Sequence, residues 1–246
     1  MTDLIISDIH ANLDALEAVL ADAAGKYERI VCLGDIVGYG PNPNQVVDWV
    51  RENVAALVRG NHDKAATGLE DPSWFNPVAE YAARWTQREL TPENDQFVRM
   101  MQRGPMAVNS YQIAHGSPLD EDGYIVTAVD AGFAFPYVER AVTFFGHTHL
   151  QGGFVWSRMK ARPISRPCII NKPVVLDLQE DEAYLVNPGS VGQPRDGDPR
   201  AAYLIYDATG HTVAYHRVEY NIDAVQQKIR RANLPEILAD RLGVGR

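Results

Sequence analysis

Leu33-Gly34-Asp35-Ile36-Val37-Gly38-Tyr39-Gly40 is the stretch that decides how this chain reads. The apolar run from Arg29 to Leu33 stops at a glycine and delivers one carboxylate, Asp35. A strand ending this way holds a side chain rigidly at the edge of a sheet, which suits a metal ligand better than a packing residue. Many strands end in Gly-Asp. The pattern gains its weight from other strand-like segments of the chain that also end in Asp, Asn or His. The expectation is that Asp35 bridges two metal ions.

Upstream, Asp3 to Ser7 is a short apolar strand leading into Asp8-Ile9-His10. Ala11 to Ala24 reads as a helix with Leu13, Leu16 and Leu20 on one face and Gly25 past its end. Downstream, Asn42-Pro43-Asn44-Gln45 opens a helix with an Asn cap and Pro at its first position, and Val46, Trp49 and Val50 form its buried stripe. Ala55 to Val58 is the next strand, ending in Arg59-Gly60-Asn61-His62-Asp63. Strand, helix, strand, helix, strand is the signature of a parallel sheet with helices packed on it.

Residues 64 to 104 break that rhythm with two helices. One starts at Asn76-Pro77 with Val78, Tyr81 and Trp85 on one face, the other at Thr91-Pro92 with Phe97, Met100 and Met101. The pair reads equally as a cap shaping a substrate pocket or as a side layer of the fold. Met106 to Asn109 and Tyr111 to Ala114 form a hairpin ending at His115-Gly116. Val129 to Arg140 is helical with a kink at Pro136. Val142 to Phe145 is a strand ending in Gly146-His147-Thr148-His149. Phe154 to Trp156, Ala183 to Val186, Ala201 to Asp207 and Val213 to Val218 supply further strands, and Ile222 to Ala232 a closing helix. With no internal repeat, one domain covering residues 1–246, with a helical insertion at about 64–104, accounts for the chain.

At 46% hydrophobic and 22% charged residues, the 246-residue chain has the composition of an ordinary globular protein. Its net charge of −9 would stay negative with two divalent ions bound, which makes a long nucleic acid an unfavourable partner. Two cysteines, Cys32 and Cys168, are too few for a disulfide framework, and Cys32 reads as a small core residue. No apolar run approaches the ~20 residues that span a bilayer, and the first strand leaves no room for a signal peptide. A cytoplasmic location is expected.

The polar strand ends are Asp8, His10, Asp35, Asn61, His62, His115, His147 and His149, and they hold all of the histidines except His211 and His216. Packing alone explains such a gathering poorly. Asp8-x-His10 and His147-x-His149 each put two ligands on one side of an extended segment. Mixed imidazole and carboxylate donors suit Zn, Fe or Mn, and their number exceeds the needs of one tetrahedral metal.

In order, Asp8-Ile9-His10, Gly34-Asp35, Gly60-Asn61-His62-Asp63, His115-Gly116 and Gly146-His147-Thr148-His149 resemble the five motifs of the calcineurin-like metallophosphoesterase superfamily. Asn187-Pro188-Gly189-Ser190 resembles a segment of its small bacterial phosphodiesterases. The resemblance implies a four-layer α/β/β/α sandwich and two divalent transition-metal ions (Mn, Zn or Fe). Asp8, His10 and His149 would hold the first, Asn61, His115 and His147 the second, and Asp35 would bridge them. The implied activity is hydrolysis of a small phosphodiester or phosphomonoester by a metal-bridging hydroxide, formed because two cations lower the pKa of a shared water toward ~7. His62 would protonate the leaving alkoxide, and Arg59 is a candidate phosphate clamp.

Protein Ser/Thr phosphatases of the superfamily carry Gly-Asp-x-Val-Asp-Arg, and Gly34 to Tyr39 lack that Asp-Arg pair. The acidic balance weighs against a nuclease. A non-catalytic scaffold, as in the retromer subunit of this fold, tends to lose ligands that this chain keeps. Three weaker signals remain open. Arg158, Lys160, Arg162, Arg166 and Lys172, with Pro163 and Pro167, read as a basic loop, either solvated or facing a substrate or partner. Asn187 to Ser190, followed by Gly192 and Arg195, reads as a plain turn or as a segment reaching the site. Trp74, Phe75 and Trp85 read more readily as core than as a stacking surface.

Overall fold

A computed structural model describes residues 1–164 and 173–246. The first part of the chain forms β1 (Thr2–Ile6), α1 (Leu13–Ala23), β2 (Arg29–Cys32), α2 (Pro43–Asn53) and β3 (Val54–Leu57). Three helices follow: α3 (Asn61–Ala66), α4 (Pro77–Glu89) and α5 (Pro92–Arg99). Then come β4 (Met106–Val108), β5 (Tyr111–Ile113), α6 (Ala128–Ala134), β6 (Val142–Phe144), β7 (Gly152–Ser157) and β8 (Lys160–Pro163). The described chain closes with β9 (Val174–Asp177), β10 (Ala183–Asn187), β11 (Ala201–Asp207), β12 (Thr212–Val218), α7 (Ile222–Arg231) and α8 (Glu236–Leu242).

Among the described residues the strands make two six-stranded mixed sheets, in the orders β3-β2-β1-β11-β12-β9 and β4-β5-β6-β10-β7-β8. Side chains on a strand alternate between faces, so each strand feeds two cores. Ile5, Val31, Leu33, Leu204 and Tyr206 of the first sheet meet Ile113, Phe144, Tyr184 and Val186 of the second in one buried cluster between the sheets. The intervening residues Leu4, Ile6, Ile30, Cys32 and Tyr203 face the other way and pack under α1 and α2, with Leu16, Val19, Val46 and Val50. Phe145, Phe154 and Leu185 face outward from the second sheet against Ala131 and Ala134 of α6. The result is the expected α/β/β/α sandwich.

In the first sheet β1, β2 and β3 run parallel, and so do β5 and β6 in the second. Their carboxyl ends carry the loops singled out in the sequence. An ion pair fixes the opposite end of the sandwich: both oxygens of buried Asp3 accept from Arg29 at 2.6 and 2.8 Å, and Asp3 Oδ2 also accepts from Tyr111 at 2.6 Å.

Several local expectations needed correction. The helix expected from Val129 to Arg140 stops at Ala134 and tightens into a 3-10 turn over Phe135–Tyr137, because Pro136 has no N–H for the α ladder. The basic stretch is not wholly loop: Arg158 and Met159 (φ 50° and 62°) turn the β7–β8 hairpin, with Lys160 and Arg162 on β8. Arg166, Pro167, Cys168 and Lys172 lie outside the described residues. The buried stripe of α4 consists of Ala79, Ala82, Ala83 and Thr86, small residues that allow close approach, while Tyr81 is exposed. Met100 is exposed beyond α5. Phe97, Val98 and Met101 pack with α2, and the α4 stripe packs with Val225, Leu238 and Leu242 of α7 and α8. Asn42 precedes α2 but makes no side-chain cap bond. No helix among the described residues is long and apolar enough to cross a membrane.

Candidate metal centre

Three of the loops that carry candidate ligands, those after β1, β2 and β6, leave their strands through left-handed turns. Asp8, His10, Asp35, His147 and His149 all have left-handed φ, between 48° and 65°, a region costing such residues ~1–3 kcal/mol each. Backbone bonds between loops hold them there. Asp8 N–H donates to Gly34 O at 3.0 Å, His10 N–H to Asp35 O at 2.9 Å, and Gly146 N–H to His115 O at 2.8 Å. Gly34 (φ 97°) packs so close to the third loop that an added Cβ would lie 2.7 Å from Gly60 N. A Cβ on Gly60 would strike Asp35 Oδ1 itself. These two glycines let the β2 and β3 loops close on one another.

The side chains converge in two buried groups, Asp8–His10–Asp35–His149 and Asp35–His115–His147. Asp35 belongs to both. Its Oδ2 lies 3.7 Å from His10 Nε2 and 3.3 Å from His115 Nε2, while Oδ1 accepts the His62 N–H at 2.8 Å. Asn61 Oδ1 stands 3.3 Å from His115 Nε2 and so joins the second group. His115 Nε2 and His147 Nδ1 are 3.1 Å apart, as are His10 Nε2 and His149 Nε2.

The far side of each ring settles its tautomer. His10 Nδ1 faces Val37 O at 3.0 Å, His115 Nδ1 faces Leu33 O at 2.8 Å, and His149 Nδ1 faces Gln193 O at 2.5 Å. A carbonyl only accepts, so each Nδ1 carries a proton, and it is Nε2 that is turned inward to offer a lone pair whenever the ring has no second proton. Two such lone pairs meet between His10 and His149, beside Asp8 Oδ1, which accepts no hydrogen bond. They repel unless a cation or proton lies between them. This donor set fits a pair of metal ions sharing a carboxylate.

Burial disfavours imidazolium and keeps His10 neutral; it also pushes His147 down to about 3. For His115, burial is outweighed by the Asp35 carboxylate, which raises it to about 10, so a metal at that nitrogen must displace a proton. His62 is pushed down to about 4 by burial, which outweighs the Asp35 carboxylate, with the nearby Arg195 charge acting in the same direction as burial. Its ring packs against Tyr39, Phe75 and His10 at centroid distances of 4.3, 4.7 and 4.9 Å.

Calcineurin-like phosphoesterase superfamily domains match residues 1–211. The chain belongs to this superfamily. An uncharacterized protein of Methanocaldococcus jannaschii is 36% identical over 98% of the chain and 97% of its own length. A metallophosphoesterase from Sphaerobacter thermophilus, of known structure, is 42% identical with a TM-score of 0.86, covering 100% of this chain and 99% of that one. A hypothetical protein from Pyrococcus horikoshii OT3, 19% identical, shares the fold at TM-score 0.77 over 100% and 98% of the two chains.

Within this calcineurin-like chain, three site features were missed or underweighted in the sequence. Asp63 accepts backbone N–H groups from Asp35 (2.8 Å), Ile36 (3.0 Å), Val37 (3.3 Å) and Gly60 (2.8 Å), locking the Asp35 loop. Its signal was positional: Asp63 is the third residue past Gly60, the capping-box position of α3. The Asn187 to Arg195 segment does reach the site, where Ser190 Oγ donates to Asp8 O at 2.8 Å and Arg195 N–H to His149 O at 3.2 Å. Arg195 is the third. Its Nε is buried without a partner, its other contacts are Gln193 Oε1 at 3.0 Å and Tyr39 OH at 3.4 Å, and no carboxylate pairs with it among the described residues. Arg59, by contrast, spends its fork on Glu121, at 3.1 and 3.3 Å.

Proposed function

We propose that this chain is a dinuclear-metal-dependent phosphoesterase acting on a small phosphodiester or phosphomonoester. The observation that carries the reading is the single Asp35 oxygen facing the Nε2 atoms of both His10 and His115. Asp8, His10 and His149 would hold one cation, Asn61, His115 and His147 the other, and Asp35 both. Bound there, divalent Mn, Zn or Fe ions would supply Lewis acidity and a hydroxide nucleophile at neutral pH.

The chain's own groups have separable roles. Arg195 carries a charge that no carboxylate pairs with among the described residues, and its guanidinium, beside Tyr39, would be offered to a phosphoryl oxygen. It is a better phosphate clamp than Arg59, whose use would require breaking the Glu121 pair. His62 is neutral in the resting site and would take up a proton with the anionic substrate, then pass it to the leaving oxygen. The test is turnover of bis(p-nitrophenyl) phosphate and of small natural phosphoesters by Mn-, Zn- and Fe-loaded protein. Chelator-sensitive release of product is expected. Failure with every metal across the panel would overturn the reading.

A further inference from the structure

An unbroken line of ring contacts runs from the buried centre to solvent. His10, 1% exposed, meets His62 edge-on at 4.9 Å. His62 meets Phe75 at 4.7 Å, and Phe75 meets Trp74 at 4.4 Å and 70°. Trp74 is 57% exposed, an unusual state for the largest apolar side chain and the opposite of the core role expected from sequence. Trp85, by comparison, packs against the cluster formed by α4, α7 and α8.

The backbone at Trp74 is held in a capped turn. Pro72 begins the 3-10 turn Pro72–Trp74, Asp71 Oδ1 accepts from Ser73 N–H at 3.0 Å, and Phe75 N–H donates to Pro72 O at 2.9 Å. Asn76 then caps α4 by accepting from Val78 and Ala79 N–H at 3.1 Å. A large ring carried on a capped turn has its backbone already ordered, which lowers the entropic cost of stacking another ring on it. Among the described residues no charged group stacks on Trp74, so the surface suits a flat, uncharged ring.

We propose that the ester cleaved here carries a nucleobase or comparable planar ring on its leaving group, and that Trp74 and Phe75 stack that ring. The assignment to the leaving group rests on the phosphoesterase reading, in which His62 delivers a proton to the departing oxygen. Phe75 and Trp74 continue outward from His62 on that side. Tyr124, 58% exposed, lies instead against His147 at 4.0 Å, beside the other cluster.

Two experiments decide it. In binding, adenosine 5′-monophosphate titrated into wild-type protein should quench tryptophan emission saturably, whereas ribose 5-phosphate should not. Trp74→Phe, which keeps a ring but removes this reporter from the four tryptophans, should lose the quenching. Quenching that survives in Trp74→Phe overturns the proposal. In turnover, adenosine 5′-(methyl phosphate) is compared with ribose 5-(methyl phosphate), which differs only in lacking the base. Trp74→Ala should raise the ratio of their KM values about fivefold or more, as expected for loss of one base–aromatic stack. An unchanged ratio overturns the proposal, and so does a shift caused by Tyr124→Ala but not by Trp74→Ala. Should neither ester be cleaved while bis(p-nitrophenyl) phosphate is, the base-bearing leaving group is overturned and the phosphoesterase reading stands, and the fluorescence titration decides the ring subsite by itself.

Discussion

Arg195→Met separates binding chemistry from fold stability. In the wild type, Arg195 gains a hydrogen bond to Gln193 at 3.0 Å and a cation–π contact 5.7 Å from the Tyr39 ring centroid, each on the order of 1 kcal/mol. Against this stands a buried Nε with no partner, an opposing cost of ~1–3 kcal/mol. The contributions nearly cancel, so the variant should unfold within ~1 kcal/mol of wild type, or about 2–4 °C at this chain length. The substrate-bound state loses a charge-assisted bond to a phosphoryl oxygen, and kcat/KM should fall about 100-fold. Arg217→Met is the contrast, since Arg217 and Asp196 form an ion pair only 9% and 8% exposed. Breaking a pair of that kind costs about 3–5 kcal/mol. Thermal unfolding by circular dichroism and steady-state kinetics on metal-loaded protein measure both quantities. Activity within threefold of wild type in Arg195→Met, or a loss of more than ~2 kcal/mol in stability, would refute the assignment of Arg195 as an unpaired clamp.

Other outcomes follow from the same geometry. Asp3→Asn strands the Arg29 guanidinium, 24% exposed, and should lower stability by about 3–5 kcal/mol in urea unfolding, with metal content per folded molecule unchanged. Burial would raise the Glu121 carboxyl, but its pairs with Arg59 and Lys64 outweigh that and lower it. With a folded pKa below the unfolded one, its stabilisation is present above about pH 4.5 and lost as pH falls through the folded value. The melting temperature of wild type should therefore exceed that of Glu121→Gln at pH 7, and the gap should close in acid. His62→Ala should retain metal but lose rate, most of all with poor leaving groups; equal loss for p-nitrophenyl and alkyl esters would remove it from proton transfer.

The sandwich was legible because its strands alternate cleanly: Ile30 and Cys32 face the helices while Val31 and Leu33 face the second sheet. The candidate ligands were legible because each ends an apolar run, and a polar residue is rarely placed there for packing. What stayed hidden depended on partners distant in sequence. Nothing near Arg59 announced Glu121, and nothing near Arg195 announced that no carboxylate would meet it. Trp74 and Trp85 look alike on the page; only the turn at Pro72 and the packing of α4 on α7 and α8 send one outward and the other inward. The β7–β8 hairpin was missed because Arg158 and Met159 take left-handed conformations that usually call for Gly or Asn.

The central claim is that Asp35 joins two metal positions, and metal stoichiometry tests it most directly. Wild-type protein reconstituted with Mn or Zn and counted by elemental analysis should hold close to two ions per chain. Asp35→Asn removes the shared charge and should hold neither ion tightly, with activity lost. A single ion per wild-type chain, or two ions and normal turnover in Asp35→Asn, would contradict the account.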